Sequence, residues 1–229
     1  MVYITGDTHG ETDISKLNGR NFPAQNELSK NDFVIIAGDF GFIWEGGKTQ
    51  RYWLDWFERK SFTTLFIDGN HENFDLLHSF GEETWNGGTI HRINNSVIHL
   101  TRGQVYSINN RKFFTFGGGE STDKAQRKEG VSWWKEEMPS KDEYAEGLRN
   151  VEKQSGKVDY IITHTAPGRI IRELEKDHVI YNKENTLSAY LDGIIETADF
   201  KRWFFGHYHL DTLIKDTFRA IYRDVIQVD

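Results

Sequence analysis

Val2-Tyr3-Ile4-Thr5-Gly6-Asp7-Thr8-His9-Gly10 is the stretch on which the fold turns. A short run of β-branched and aromatic residues has strand character and stops at a glycine. It then sets a carboxylate and an imidazole two residues apart. A lone Asp-x-His says little, because a capping Asp in a turn reads the same way. Here the pattern recurs. Phe33 to Ala37 runs into Gly38-Asp39-Phe40-Gly41, and Thr64 to Ile67 into Asp68-Gly69-Asn70-His71-Glu72. Tyr160 to Thr163 runs into His164-Thr165-Ala166-Pro167, and Trp203 to Phe205 into Gly206-His207-Tyr208-His209. These runs are continuous rather than alternating, as expected of strands buried on both faces. Ligand sites in α/β sheets gather at the carboxyl ends of strands. Five strands therefore direct Asp7, His9, Asp39, Asn70, His164, His207 and His209 toward one rim.

Two carboxylates, one carboxamide oxygen and four imidazoles suit divalent manganese, iron or zinc, and suit neither copper(I) nor an iron–sulfur cluster. Seven donors exceed the needs of one four-coordinate ion. They match two divalent ions about 3.5–4 Å apart, provided that one carboxylate bridges them. The interleaved glycines let the backbone turn sharply and come close to the ions.

The rest of the chain bounds this reading. It has 229 residues, 37% hydrophobic and 28% charged, which fits a globular chain and neither disorder nor a membrane protein. No apolar run approaches the roughly 18–20 residues of a membrane-spanning helix. A net charge of −7 argues against a broad nucleic-acid or membrane footprint, although a local positive pocket is compatible with it. The chain lacks cysteine, which removes disulfides and thiolate chemistry. With no readable signal peptide, the cytoplasm is the expected location. No repeat, low-complexity tract or linker divides the chain, so residues 1–229 are read as one domain.

Between the ligand-bearing runs, Arg51 to Lys60 is read as a helix with Trp53, Trp56 and Phe57 on one face. Val97 to Leu100, Val105 to Ile108 and Lys112 to Phe116 read as an antiparallel meander, turning at Asn109-Asn110. Gly117 to Gly130 is a long loop. Lys141 to Gln154 and Asn185 to Glu196 are helices. Thr212 to Lys215, Phe218 to Tyr222 and Val225 to Val228 are read as a second antiparallel set.

The ordered set Asp7-x-His9, Gly38-Asp39, Gly69-Asn70-His71, His164 and Gly206-His207-x-His209 resembles the calcineurin-like metallophosphoesterases, over nearly the whole chain. The resemblance implies an α/β fold, a four-layer αββα sandwich of two mixed sheets with a dinuclear centre at one edge. It implies that Asp7, His9 and His209 hold one ion, that Asn70, His164 and His207 hold the other, and that Asp39 bridges them. It makes His71 the catalytic histidine. The implied activity is hydrolysis of phosphate mono- or diesters through a metal-bridging hydroxide, with a nucleotide as one candidate substrate. A nuclease, or a binding or scaffold protein on the same fold, is the alternative. Protein serine/threonine phosphatases and the bacterial diadenosine-tetraphosphate hydrolases that resemble them carry Gly-Asp-x-x-Asp-Arg-Gly and Arg-Gly-Asn-His-Glu. In this chain Phe42 stands at the histidine-orienting Asp, and Ile43 and Asp68 stand at the two arginines. Glu72, Asp75 or a backbone carbonyl is then expected to orient His71, with Arg127 and Arg169 as candidate substrate contacts. Lys124, Arg127 and Lys128 belong to the loop after Gly117. Trp44, Trp133 and Trp134 are read as packing residues rather than as a platform for a base.

Overall fold

A computed structural model of the protein describes residues 1–181 and 183–228. Along the chain run β1 (Val2–Thr5), β2 (Phe33–Ile36), α1 (Lys48–Glu58), β3 (Thr63–Phe66), α2 (Phe74–His78), β4 (Glu82–Trp85), β5 (Gly88–Arg92), β6 (Val97–Leu100), β7 (Gln104–Ile108) and β8 (Arg111–Phe116). There follow α3 (Lys141–Lys153), β9 (Tyr160–Thr163), α4 (Gly168–Leu174), α5 (Thr186–Thr197), β10 (Arg202–Phe205), β11 (Thr212–Ile214), β12 (Phe218–Ala220) and β13 (Val225–Val228). The two longest helices, α3 and α5, begin at side-chain caps. Ser140 and Glu143 form a capping box at α3, and Asn185 accepts from the Leu187 and Ser188 N–H groups at α5.

The strands form two mixed sheets. One has the order β13-β1-β2-β3-β6-β5-β4, and the other β11-β12-β10-β9-β8-β7. Three apolar clusters divide the molecule into layers. The middle one joins Ile4, Ile35 and Leu65 of the first sheet to Phe113, Ile162 and Phe204 of the second, so the sheets pack face to face. Alternate residues of the same strands point outward. Val34, Ile36 and Phe66 pack toward Phe57 of α1, and Phe114, Ile161 and Phe205 toward Ile171 of α4 and Leu191 of α5. Both faces of the central strands are therefore buried, which is why their sequences are continuous apolar runs.

Register aligns the strand ends. In the first sheet Thr5, Ile36 and Phe66 are in step across parallel β1, β2 and β3. In the second, Phe116, Thr163 and Phe205 are in step across parallel β8, β9 and β10. The residue after each of these positions leaves the sheet at the same level.

Two expectations about strand grouping are corrected. The meander is split: β6 lies in the first sheet, parallel to β3, whereas β7 and β8 form a hairpin in the second. Asn109 and Asn110 do make its turn, with φ of 49° and 62°. The C-terminal set is split as well. β11 and β12 pair with each other and β12 lies parallel to β10, while β13 crosses to the first sheet and pairs antiparallel with β1. Turn residues reveal that the chain reverses and not which of two similar apolar faces receives the next strand.

Candidate metal centre

The centre is assembled where the two sheets present the ends of β1, β2, β3, β9 and β10. Asp7, Asp39, Asn70 and His164 are buried, His9, His71 and His207 are half-buried, and His209 is exposed. All seven expected ligands and His71 lie in this one region. Close backbone approach makes that possible. A methyl group on Gly69 would fall on the Asp39 carboxylate, and one on Gly206 on the Asp7 carboxylate.

Asp39 faces two ways. Its Oδ2 lies 3.2 Å from His9 Nε2, and its Oδ1 lies 3.4 Å from His164 Nε2 while accepting the His71 N–H at 2.8 Å. Asp7 Oδ2 is 3.3 Å from His209 Nε2, and both its oxygens lie 3.1 Å from the His207 N–H. On the other flank Asn70 Oδ1 and His207 Nδ1 lie 3.1 and 3.2 Å from His164 Nε2. Among the described residues three groups of donors are close enough to share an ion: Asp7, His9 and His209; His9, Asp39 and His71; and Asp7, Asp39 and His164.

The far sides of these side chains are anchored. His9 Nδ1 is 2.9 Å from Asp13 Oδ2, and Asp13 accepts from the Tyr222 hydroxyl at 2.8 Å. His164 Nδ1 donates to the Ala37 carbonyl at 2.9 Å. Such partners fix ring orientation and turn the opposite nitrogen inward. Asn70 Nδ2 donates to Ser121 Oγ at 3.1 Å, and Ser121 donates from N and Oγ to the buried Glu137 at 3.1 and 3.0 Å. The amide oxygen of Asn70 is thereby directed at the centre. Sequence reasoning missed Glu137. The available signal was Gly117-Gly118-Gly119 after β8, a sixth strand end in step with His164.

The electrostatics call for positive charge. Burial pulls His9 down, yet Asp39, with Asp7 and Asp13, lifts it to about 9. Burial likewise opposes protonation of His164, and Asp39 and Asp7 raise it to about 10. Burial pushes Asp39 up, but His164 and His9 hold it well below the usual carboxylate range. His207, by contrast, is driven down to about 3 by burial and by His164, so its imidazole is neutral. Buried carboxylates that recruit protons onto neighbouring imidazoles fit divalent cations, which supply the same charge to the same atoms.

Residues 1–211 match the model of the calcineurin-like phosphoesterases. The chain belongs to that family. Among curated proteins, none matches it. Calcineurin-like phosphoesterases are metal-dependent hydrolases of phosphoesters, and the buried Asp and His groups here could bind metal. No helix among the described residues is long and apolar enough to cross a membrane.

Around the centre of this calcineurin-like phosphoesterase, several positions differ from expectation. Glu72 does not orient His71, because its oxygens accept the Phe40 and Gly41 N–H groups at 2.7 and 3.2 Å. Asp75 accepts from Trp134 Nε1 at 2.8 Å. The partner of His71 is Arg127, whose Nη1 lies 3.2 Å from His71 Nδ1. Arg127 is itself held by Asp123 at 2.8 Å and the Ser132 carbonyl at 3.2 Å. With His71 and Asn70 it lines a cavity of about 210 Å3 over the centre. Arg169 is drawn elsewhere: it pairs with Asp192 and Glu196 of α5 at 3.3 and 2.7 Å and does not line that cavity. Lys124 pairs with Glu120, and Lys128 is exposed. As expected, Trp134 packs, buried against Trp44; Phe42 is buried among Phe40, Trp53 and Phe57.

Proposed function

We propose that the chain is a dinuclear metal-dependent phosphoesterase acting on phosphate mono- or diesters. The observation that carries this reading is the two-sided setting of Asp39, one oxygen toward His9 and the other toward His164. In the proposal Asp7, His9 and His209 hold one ion, Asn70, His164 and His207 hold the other, and Asp39 spans both. Divalent manganese, iron or zinc bound there would supply an acidified water for attack at neutral pH and positive charge against the phosphoryl oxygens.

The side chains around the ions have separate tasks. Asp13, Ala37 and Ser121 hold His9, His164 and Asn70 in their inward orientations. An Arg127 N–H donated to Nδ1 of His71 leaves the imidazole proton on Nε2 of the neutral ring. From there His71 protonates or hydrogen-bonds the departing alkoxide, a role worth about 10²–10⁴-fold. The Arg127 guanidinium adds a cation beside the phosphate in an otherwise acidic molecule.

Metal content and turnover of p-nitrophenyl phosphate and bis-p-nitrophenyl phosphate, measured together, test this. The manganese-loaded chain should hydrolyse at least one of the two, and chelation should abolish turnover. His71→Asn should keep its metal and lose about 10²–10⁴-fold in kcat. Asp39→Asn should lose both ions. Full turnover in chelator, or two retained ions in Asp39→Asn, would contradict the proposal.

A further inference from the structure

Next to the cavity over the centre lies a second hollow, of about 330 Å3, which the chemistry above leaves unused. His9 lines both, so the two hollows adjoin at that side chain. The volume lies at the lower end of the range for small-molecule pockets. Its lining includes no lysine or arginine, and apart from His9, at the end shared with the centre, its charged side chains are the carboxylates of Glu11 and Glu45. A second phosphate or a carboxylate is therefore disfavoured there.

The other wall is aromatic and held in place. Trp53 is half-buried, packs at 5.3 Å on buried Phe42, and donates its Nε1–H to Glu11 at 2.8 Å. Trp44 is also half-buried and meets Trp134 edge-on at 5.5 Å. Its backbone N–H donates to Gln50 Oε1 at 2.9 Å, and its backbone carbonyl accepts from Asn73 at 2.8 Å. Gln50 Oε1 also accepts from Gly46, which leaves the amide NH2 as that side chain's donor. Fixed aromatic faces bind without the entropy cost of ordering them.

We propose that this hollow receives the base of a nucleotide phosphoester, resting on Trp44 and Trp53 while the phosphate lies at the centre. The placement of the phosphate rests on the phosphoesterase reading; the recognition of the base is the new element. A base is planar and neutral, and its exocyclic amine suits the two rim carboxylates, while its ring acceptors suit the Gln50 amide. A sugar phosphate or an alkyl ester has no planar ring to stack on the indole faces. Stacking a base on an aromatic side chain strengthens binding about 5- to 150-fold.

Calorimetric titration of the manganese-loaded full chain with adenosine 5′-monophosphate and with ribose 5-phosphate tests this without requiring turnover. The nucleotide should bind at least about 5-fold more tightly. Trp53→Leu and Trp44→Leu, which keep apolar volume while removing the ring face, should bring it down toward ribose 5-phosphate and leave the latter unchanged. If either variant fails to fold, Gln50→Glu, which removes the amide donor and adds a third carboxylate, should still weaken the nucleotide selectively. Equal affinity of the two ligands, or a preference that survives these substitutions, would overturn the base site. Phosphoester hydrolysis without base preference sinks the hollow alone. Base preference without any hydrolysis upholds the hollow and sinks the phosphoesterase reading.

Discussion

Four side chains of the centre hang from backbone that L residues seldom adopt. His9, Asp39, His207 and His209 have φ of 45°, 48°, 67° and 52°. Left-handed backbone at a non-glycine residue costs on the order of 1–3 kcal/mol and persists only where its surroundings impose it. Here they do: the Asp39 carbonyl accepts the Thr8 and His9 N–H groups at 3.1 and 2.8 Å, and the Asp7 carboxylate faces the His207 N–H. The strain returns each side chain toward the rim within one or two residues of its strand. The neighbouring glycines serve closeness, and Gly206 is one case. A methyl group there would meet the Asp7 carboxylate and lie 2.6 Å from the Ala37 carbonyl. Gly206→Ala should therefore displace Asp7, lower metal content and cost about 1–3 kcal/mol of stability. Metal analysis beside a urea melt checks this; a variant with the metal content and midpoint of the parent would show that the approach is not needed.

Between the elements, the largest surprise is the setting of Asp68 at the end of β3. It takes the place where related phosphatases carry an arginine, and it proves to be the acceptor of one. Arg102, in the crossing from β6 to β7, donates Nε and Nη2 to Asp68 Oδ2 at 2.8 and 2.6 Å and also donates to the Glu136 carbonyl at 2.6 Å. His99 of β6 lies 3.2 Å from Asp68 Oδ1. A buried pair thus ties β3, the switch between sheets and the segment carrying Glu137, just behind Asn70 and His71. Removing one partner strands a buried charge, so Asp68→Asn should cost about 3–5 kcal/mol at pH 7. Burial pushes the Asp68 carboxyl up, but Arg102 and His99 hold it well below the carboxylate range. A depressed carboxyl contributes stability above its unfolded value, near 3.8, and loses it as pH falls further. The difference between parent and Asp68→Asn in urea unfolding should then narrow from pH 5 downward; a constant difference would show that the pair does not set it. None of this was legible in the sequence, because Asp68 and Arg102 share no local pattern. The strand ends were legible, because each couples an apolar run to a ligand type within three residues. Sheet membership of β6, β7 and β13 was not, since a turn signal is blind to the distant surface that a strand will cover. Arg127 at His71 was hidden for the same reason, 56 residues from its partner.

At the scale of the whole molecule, a chain of net charge −7 gathers buried carboxylates at one rim and balances them with imidazoles. In the metal-free protein, His9 near 9 and His164 near 10 carry protons at neutral pH. Both values lie above the ordinary 6.5, so these groups contribute stability that is complete below about pH 6.5 and is lost as pH rises through 9 and 10. Coordination requires the opposite state, a neutral ring with its lone pair on the ion. If His9 and His164 are ligands, loading the centre must expel their protons, up to about two per chain near pH 7. Metal affinity should therefore climb between pH 6.5 and 9, just where the metal-free fold weakens. The melting temperatures of the loaded and stripped protein should move apart across that interval. Manganese titrations in two buffers of different ionisation enthalpy count the protons directly. Release of more than one proton at pH 7, falling as pH rises through 9 and 10 to the share of an ionised bound water, is the expected result. A heat independent of the buffer, with a pH-independent gap between the melts, would mean that neither imidazole gives up a proton to the metal, and the assignment of His9 and His164 as ligands would fail with it.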